Sequence, residues 1–387
     1  MTRLAQASVL TAKGTGAISC IQLTGGDGRK IIEKIFTPAT SSQLQLSPGS
    51  FATGNIHDSG RVIDHILLGC ESENNFAINC HGNPIIVEMI MNLLQAGGAK
   101  PAVAEDILSA KFANDCDNAI HAEAKLAQLK AVTFEGVKII AAQPDCGLGR
   151  LAKEWLDNID SINLPQLNQD CQTILDRTQT AGLLINGCTV VITGPANSGK
   201  STLLNCLSGR QKAIVADIAG TTRDWVSAKC KIGPVLVELF DTAGLDELTA
   251  KKNEIERNAQ KIAREMIDKS DAVLYVTEGT EKSSHGRLGW LKDKRVLLLR
   301  NKCDLLSDRQ KAELPAGLIA ISAKNADGID DLSAALTELL KVKNFDMNTP
   351  VCFTDRQIAL VTSLSRAKKP ADAKRLITEL LTCPSCV

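Results

Sequence analysis

A short run in the middle of the chain has the residue types and spacing to hold a phosphate. Val190, Val191, Ile192 and Thr193 form an apolar run of strand type that feeds the turn from Gly194 to Thr202. The turn fits G-x-x-x-x-G-K-[ST], a P-loop whose successive backbone N–H groups converge on an anion. Gly194 and Gly199 permit the curl, and the helix opening near Lys200 adds its positive end. In that role Asn197, Ser198, Gly199, Lys200, Ser201 and Thr202 surround the phosphates. Lys200 reaches the β- and γ-phosphates, and the Ser201 hydroxyl ligates Mg²⁺.

Four further stretches complete a nucleotide constellation. Gly220 to Asp224 lies where a mobile switch would bring a hydroxyl to Mg²⁺ and the γ-phosphate; Thr222 is preferred, with Thr221 as the alternative. Asp241 to Gly244 ends a strand, so that Asp241 holds Mg²⁺ through water and the Gly244 N–H meets a γ-phosphate. Asn301, Lys302 and Asp304 follow the strand Val296 to Leu299. A carboxylate at Asp304 accepts both N–H groups of guanine's Watson–Crick edge, a donor pair adenine lacks, which argues for GTP or GDP. Ser322, Ala323 and Lys324 follow the next strand and are expected to supply a backbone N–H to guanine O6. Each stretch is weak singly; their order at the ends of successive strands is the signal. One group is missing: where Ras-type enzymes orient water with a glutamine, this chain has Leu245, which neither donates nor accepts.

The elements that position these residues read as alternating strand and helix from 188 to about 342. Strand candidates are 189–193, 228–232, 235–240, 271–277, 295–300 and 317–321; helices fit 200–208, 253–268 and 328–341. Apolar strands alternating with helices predict a buried, largely parallel sheet. The pair 229–232 and 235–240, joined by Gly233-Pro234, predicts a hairpin with one antiparallel edge. Residues 1 to about 100 predict a small α+β domain of five strands and two helices, with His81 in a turn. From about 103 to 186 the pattern is helical, and 350–387 adds two more helices. The economical arrangement inserts the α/β domain into a helical domain.

Composition bounds the rest. The chain has 387 residues, formal net charge zero and a pI of about 6.9. It has no global basic field, so a nucleic-acid contact must come from a local patch. No apolar run approaches the roughly 20 residues that span a bilayer, and no signal peptide is legible, which points to the cytoplasm and no membrane. The 13 cysteines are scattered and read as reduced thiols. Only Cys383 and Cys386 are closely spaced, half of a zinc pattern without its complement.

With these residues in hand, the chain resembles the tRNA-modification GTPase family MnmE (TrmE). The stretch Ile214 to Asp224 is close to that family's switch I. Asn197 in the P-loop, Leu245 after Gly244, and Gly182 to Gly187 leading into the first strand also match. Ile21 to Gly25 and Ile78 to Gly82 resemble the family's folate-binding domain. The resemblance implies a multidomain α/β and α+β protein. A folate-binding-like, dimerising α+β domain (1–100) comes first. A helical domain (101–186 and 346–387) then carries an inserted Ras-like P-loop G domain with a mostly parallel sheet (187–345). It implies K⁺ held by Asn197 in place of an arginine finger, and Glu256 orienting water, with Glu254 as the alternative. The catalytic set is then Glu256, Asn197 and Thr222, and the Mg²⁺ ligands are Ser201, Thr222 and Asp241. It further implies a homodimer, a flavoprotein partner, tRNA as substrate and a tetrahydrofolate one-carbon donor. The chain departs from the family at its Cys383 to Val387 ending, which lacks the usual Cys-x-Gly-Lys, in the abbreviated loop Cys70 to Asn75, and at Ala110, where the family has arginine. These departures keep a second expectation open: a divergent regulatory paralogue that retains the GTP switch without the modification chemistry.

Overall fold

The computed structural model describes residues 4–40, 46–210, 226–241, 264–278, 291 and 294–382. The chain divides into two compact units, one ending at Cys116 and one beginning at Asp117.

The first unit is a seven-stranded sheet with helices. Its strands are β1 (Gln6–Val9), β2 (Ile18–Thr24), β3 (Phe36–Pro38), β4 (Phe51–Asp58), β5 (Arg61–Ser72), β6 (Asn75–His81) and β7 (Lys100–Pro101). They are ordered β3-β4-β5-β6-β2-β1-β7, and only the β1–β7 pair is parallel. Alternation decides the buried face: Ile66, Leu68 and Cys70 of β5 point into the core while His65, Leu67 and Glu71 do not. Helices α1 (Gly28–Ile35) and α2 (Pro84–Ala96) contribute Ile31, Ile32, Ile90 and Leu94 to that core. Asn83 caps α2 by accepting the Ile85 N–H, and Pro84 starts it. Helix α3 (Ala104–Asp115) completes the unit.

The five strands expected from the sequence become seven. The two unexpected ones, β3 and β7, are both edge strands, span three and two residues, and each contains a proline. Proline lacks the N–H that a central strand needs, so it blunts an edge and erases the period-2 signal at once.

The second unit joins a six-stranded sheet to a set of helices. The helices before the sheet are α4 (Ala119–Gln128), α5 (Phe134–Ala142), α6 (Leu148–Asp157) and α7 (Leu164–Asn186). Strand β8 (Cys188–Thr193) follows, then α8 (Lys200–Arg210), β9 (Val226–Ile232), β10 (Val235–Asp241), β11 (Ala272–Thr277) and β12 (Val296–Arg300). After it come α9 (Asp308–Ala312), β13 (Leu318–Ala320), α10 (Ile329–Leu339), α11 (Asp355–Leu364) and α12 (Pro370–Leu381). Strand order is β13-β12-β11-β8-β10-β9, parallel throughout except for the β9–β10 hairpin. The central strands are apolar on both faces, as a sheet covered on both sides requires: Val190, Val191 and Ile192 are all fully buried.

Helices on the two sides of this sheet in sequence share one apolar core. Trp155, Cys171 and Ile174 from α6 and α7 pack with Val361, Leu376, Ile377 and Leu380 from α11 and α12. The amide of Gln143, fully buried, ties the crossing together. It donates to the Thr349 carbonyl (3.1 Å) and accepts from the Leu148 N–H and the Val351 N–H (both 3.0 Å). Among the described residues no helix is long and apolar enough to cross a membrane.

Candidate nucleotide site

Four strands of the sheet, β8, β10, β12 and β13, deliver the site at their carboxyl ends. Strand β8 ends at Thr193, and the chain turns through Gly194 at φ 142°, Asn197 at φ 64° and Gly199 at φ 89° before entering α8. A side chain at Gly194 would run into the Val276 carbonyl of the neighbouring strand, so the loop is pressed against β11 and only glycine fits.

Lys200 is buried, and its Nζ donates to the carbonyls of Gly194 (2.7 Å) and Pro195 (2.8 Å). The ammonium is thereby fixed over its own loop by two neutral acceptors. A phosphate oxygen, being charged, makes the stronger bond with such a group. Ser201 Oγ donates to Asp241 Oδ2 at 2.5 Å. Asp241 stands at the end of β10, opposite Ile192 in the ladder, and its Oδ1 is buried without a partner among the described residues. A hydroxyl and a carboxylate with an unsatisfied oxygen form a hard, all-oxygen donor set that fits Mg²⁺. Ser198 Oγ is likewise buried and unpartnered there, while Thr202 is exposed on the first turn of α8.

The base side is braced from β12. Asn301 donates from Nδ2 to the Ser198 carbonyl (2.8 Å) and accepts from the Ala323 N–H (3.0 Å), so one buried amide joins the P-loop to the loop after β13. Lys302, at φ 60°, donates to the Asn197 carbonyl (3.0 Å) and pairs with Glu278. Asp304 is exposed; a hydrogen bond from Ser322 is the main influence holding its carboxyl below the usual range, helped by a backbone N–H and the nearby Lys324 and Lys311. That keeps it ionised and an acceptor.

The structure therefore gathers Asn197, Ser198, Gly199, Lys200, Ser201, Thr202, Asp241, Asn301, Lys302, Asp304, Ser322, Ala323 and Lys324 around one end of the sheet. The geometry narrows which amide of the Ser322 to Lys324 stretch is open. The Ala323 N–H is spent on Asn301, which leaves the Lys324 N–H as the amide free to meet guanine O6 among the described residues. Thr221, Thr222, Gly244, Leu245, Glu254, Glu256, Cys383 and Cys386 lie outside the described residues. The role of Asn301 as a strut between two loops was not legible in sequence, because its partners are 22 and 103 residues away.

Comparison with known proteins places the sequence among GTPase relatives. A family model described as "50S ribosome-binding GTPase" matches residues 189–302. The tRNA modification GTPase MnmE of Desulfitobacterium hafniense is 30% identical over 341 residues, covering 79% of this chain and 74% of that protein. The MnmE of Clostridioides difficile is 26% identical, covering 94% and 87%. Among solved structures, Era from Aquifex aeolicus bound to GDP and aluminium fluoride is similar at 24% identity and TM-score 0.31, covering 47% of this chain and 69% of that one. A relative at this identity, matched across three quarters of its length, together with the GTPase model over the sheet that carries the site, leads to one assignment: the chain belongs to the MnmE family of tRNA modification GTPases.

Proposed function

We propose that this GTPase depends on Mg²⁺, is stimulated by K⁺, and couples GTP turnover to modification of the wobble uridine of tRNA. The observation that carries the reading is the junction of Lys200, the Ser201–Asp241 pair and the Ser322-braced Asp304 at one end of a single sheet. Lys200 and the first amides of α8 hold the triphosphate. Ser201 Oγ would ligate Mg²⁺ directly and Asp241 through water. The ion, when bound, neutralises charge between the β- and γ-phosphates. Asp304 reads guanine by accepting its N1–H and 2-amino group.

Leu245 cannot orient water, so this reading gives that task to Glu256, or to Glu254, with Thr222 completing the metal shell. Asn197, with its backbone in the left-handed region at the loop's exposed corner, would hold K⁺. The reading divides the chain into an N-terminal dimerising α+β domain (1–100), a helical domain (101–186 and 346–387) and an inserted G domain (187–345), with a flavoprotein as partner. Replacing K⁺ by Na⁺ should slow GTP hydrolysis several-fold; equal rates in the two salts would remove the K⁺ claim.

A tetrahydrofolate donor fits less well. A cavity of about 420 Å³ in the first unit is lined by Gln22, Thr24 and Gly25, from the stretch that resembles the folate-binding domain. Its one lysine, Lys111, is paired with Glu71 at 2.7 Å, and Gln22 occupies the other Glu71 oxygen at 3.1 Å. Asp115 adds another carboxylate. This cavity alone does not match the two carboxylates of a folate tail. The same observation favours a second reading, a regulatory GTPase that has lost the modification chemistry. Mass spectrometry of wobble uridines from a deletion strain separates the two: missing modified nucleosides support the first, an unchanged profile the second.

A further inference from the structure

The chain as a whole carries no net charge, so a place where cations gather without partners is informative. A cavity of about 650 Å³ in the second unit lies between α7 and the segment that follows α10. Four cations line it from three separate stretches: Arg177 on α7, Arg295 at the entry to β12, and Lys341 and Lys343 beyond α10. Lys341 and Lys343 are both exposed, on either side of the buried Val342. None of the four side chains has an ion-pair or hydrogen-bond partner among the described residues. Two carboxylates, Asp176 and Asp346, share the lining and each accepts from a neutral donor, so the side chains of the groove keep a net charge of +2, four cations less two anions. Asp346 accepts the Asn348 N–H at 3.0 Å, and Asp176 accepts from Gln172 at 3.3 Å. Phe345 offers part of its ring at the same wall.

We propose that this groove binds the phosphodiester backbone of RNA and holds the tRNA substrate; the proposal rests on the tRNA reading above. The cavity is too large for a single phosphate, and its cations are spread along it. Two arginines suit bidentate contact with phosphate, two lysines suit point-charge contact, and a partly exposed ring beside them suits base stacking. A strand-like acidic peptide would need a row of open backbone partners, which one helix, the entry to a strand paired on both sides and an irregular segment do not offer. The groove meets β12 at its amino end, near Arg295, whereas the guanine-side residues lie beyond its carboxyl end at Asn301 to Asp304. RNA in the groove therefore does not compete with GTP.

The test is fluorescence anisotropy of labelled tRNA on the full chain, from 50 to 200 mM salt, with Arg177→Gln and Lys343→Gln combined. Removing two phosphate contacts should weaken binding roughly tenfold or more and reduce the slope of log affinity against log salt by about 1.4. GTP turnover should be unchanged, since neither residue belongs to the nucleotide site, and it doubles as the folding control. Lys153→Gln with Lys374→Gln removes the same charge from exposed positions elsewhere and should leave the slope alone. Wild-type affinity and slope in the groove variant would overturn the groove while leaving the tRNA reading intact. An equal loss in the control pair would overturn it as well, by showing a diffuse field. Retained tRNA binding with lost binding to a protein partner would make the groove a protein-docking face, which also overturns it. A wild-type chain that retains no tRNA even at 50 mM salt would overturn both this proposal and the reading beneath it.

Discussion

At the scale of single residues, the site separates charge from shape. Lys200 is anchored by two carbonyls of its own loop, so removing its amine takes away the only buried ammonium described at the phosphate end without opening the core. Lys200→Ala should reduce GTP affinity by at least 100-fold in isothermal titration, the loss of two or more charge-assisted bonds at about 1.5–3 kcal/mol each. Asp304 makes a finer prediction. Asparagine in its place keeps one acceptor and turns the other into a donor, which faces a donor on guanine but an oxygen on xanthine. Asp304→Asn should therefore weaken GTP by roughly 30-fold and raise affinity for xanthosine triphosphate. The Ser322 hydrogen bond lowers the Asp304 pKa, so its contribution is present above the ordinary carboxylate value and lost only as pH falls through the lowered one. The ratio of wild-type to Asp304→Asn affinity for GTP should stay constant from pH 8 to pH 5; a decline across that range would mean the carboxyl is not held ionised.

At the scale of elements, legibility followed locality. The P-loop, Asp241 and the Asn301 to Asp304 turn were readable because each is a contiguous run at the end of an apolar strand, and the Gly233-Pro234 hairpin because turn chemistry is local. Strands β3 and β7 were not readable, being too short to show a period. Nor was the Gln143 tie, since a neutral amide has no pattern of its own and its partners are over 200 residues away in part. Yet that side chain joins the end of α5, the start of α6 and the chain after α10. Gln143→Leu keeps the volume but strands the Thr349 carbonyl and two buried N–H groups. It should lower the stability of the second unit by roughly 3 kcal/mol or more, at about 1 kcal/mol or more for each of the three stranded groups. Urea denaturation should show an earlier midpoint with unchanged slope, while GTP affinity in the folded protein stays within twofold.

At the scale of the molecule, the cysteines report on how the second unit coheres. Cys188 and Cys230 lie in the core around the sheet, Cys171 and Cys352 in the core shared by the helices on either side of it in sequence. Burial pushes Cys171, Cys188 and Cys352 up to about 12 and Cys230 up to about 11, with nearby groups adding smaller effects. The sign follows directly. These folded-state values lie above that of an unfolded thiol, near 8.5, so the stability they confer is complete below that pH and is lost as pH rises toward the folded values. Each thiol then removes about 1.4 kcal/mol per pH unit, and four together roughly 5.6 kcal/mol per pH unit, which is comparable with the whole stability of a typical domain. The second unit should accordingly unfold within about two pH units above 8.5, with both cores lost together because α7 contributes to each. A single tyrosine in the chain makes phenol ionisation a small competitor. Cys171→Ala with Cys352→Ala should lower stability at pH 7, through the space left behind, yet halve the loss per pH unit between 8.5 and 10 in urea titrations followed by circular dichroism. An unaltered slope in that variant would assign the alkaline transition to the lysines instead of the buried thiols.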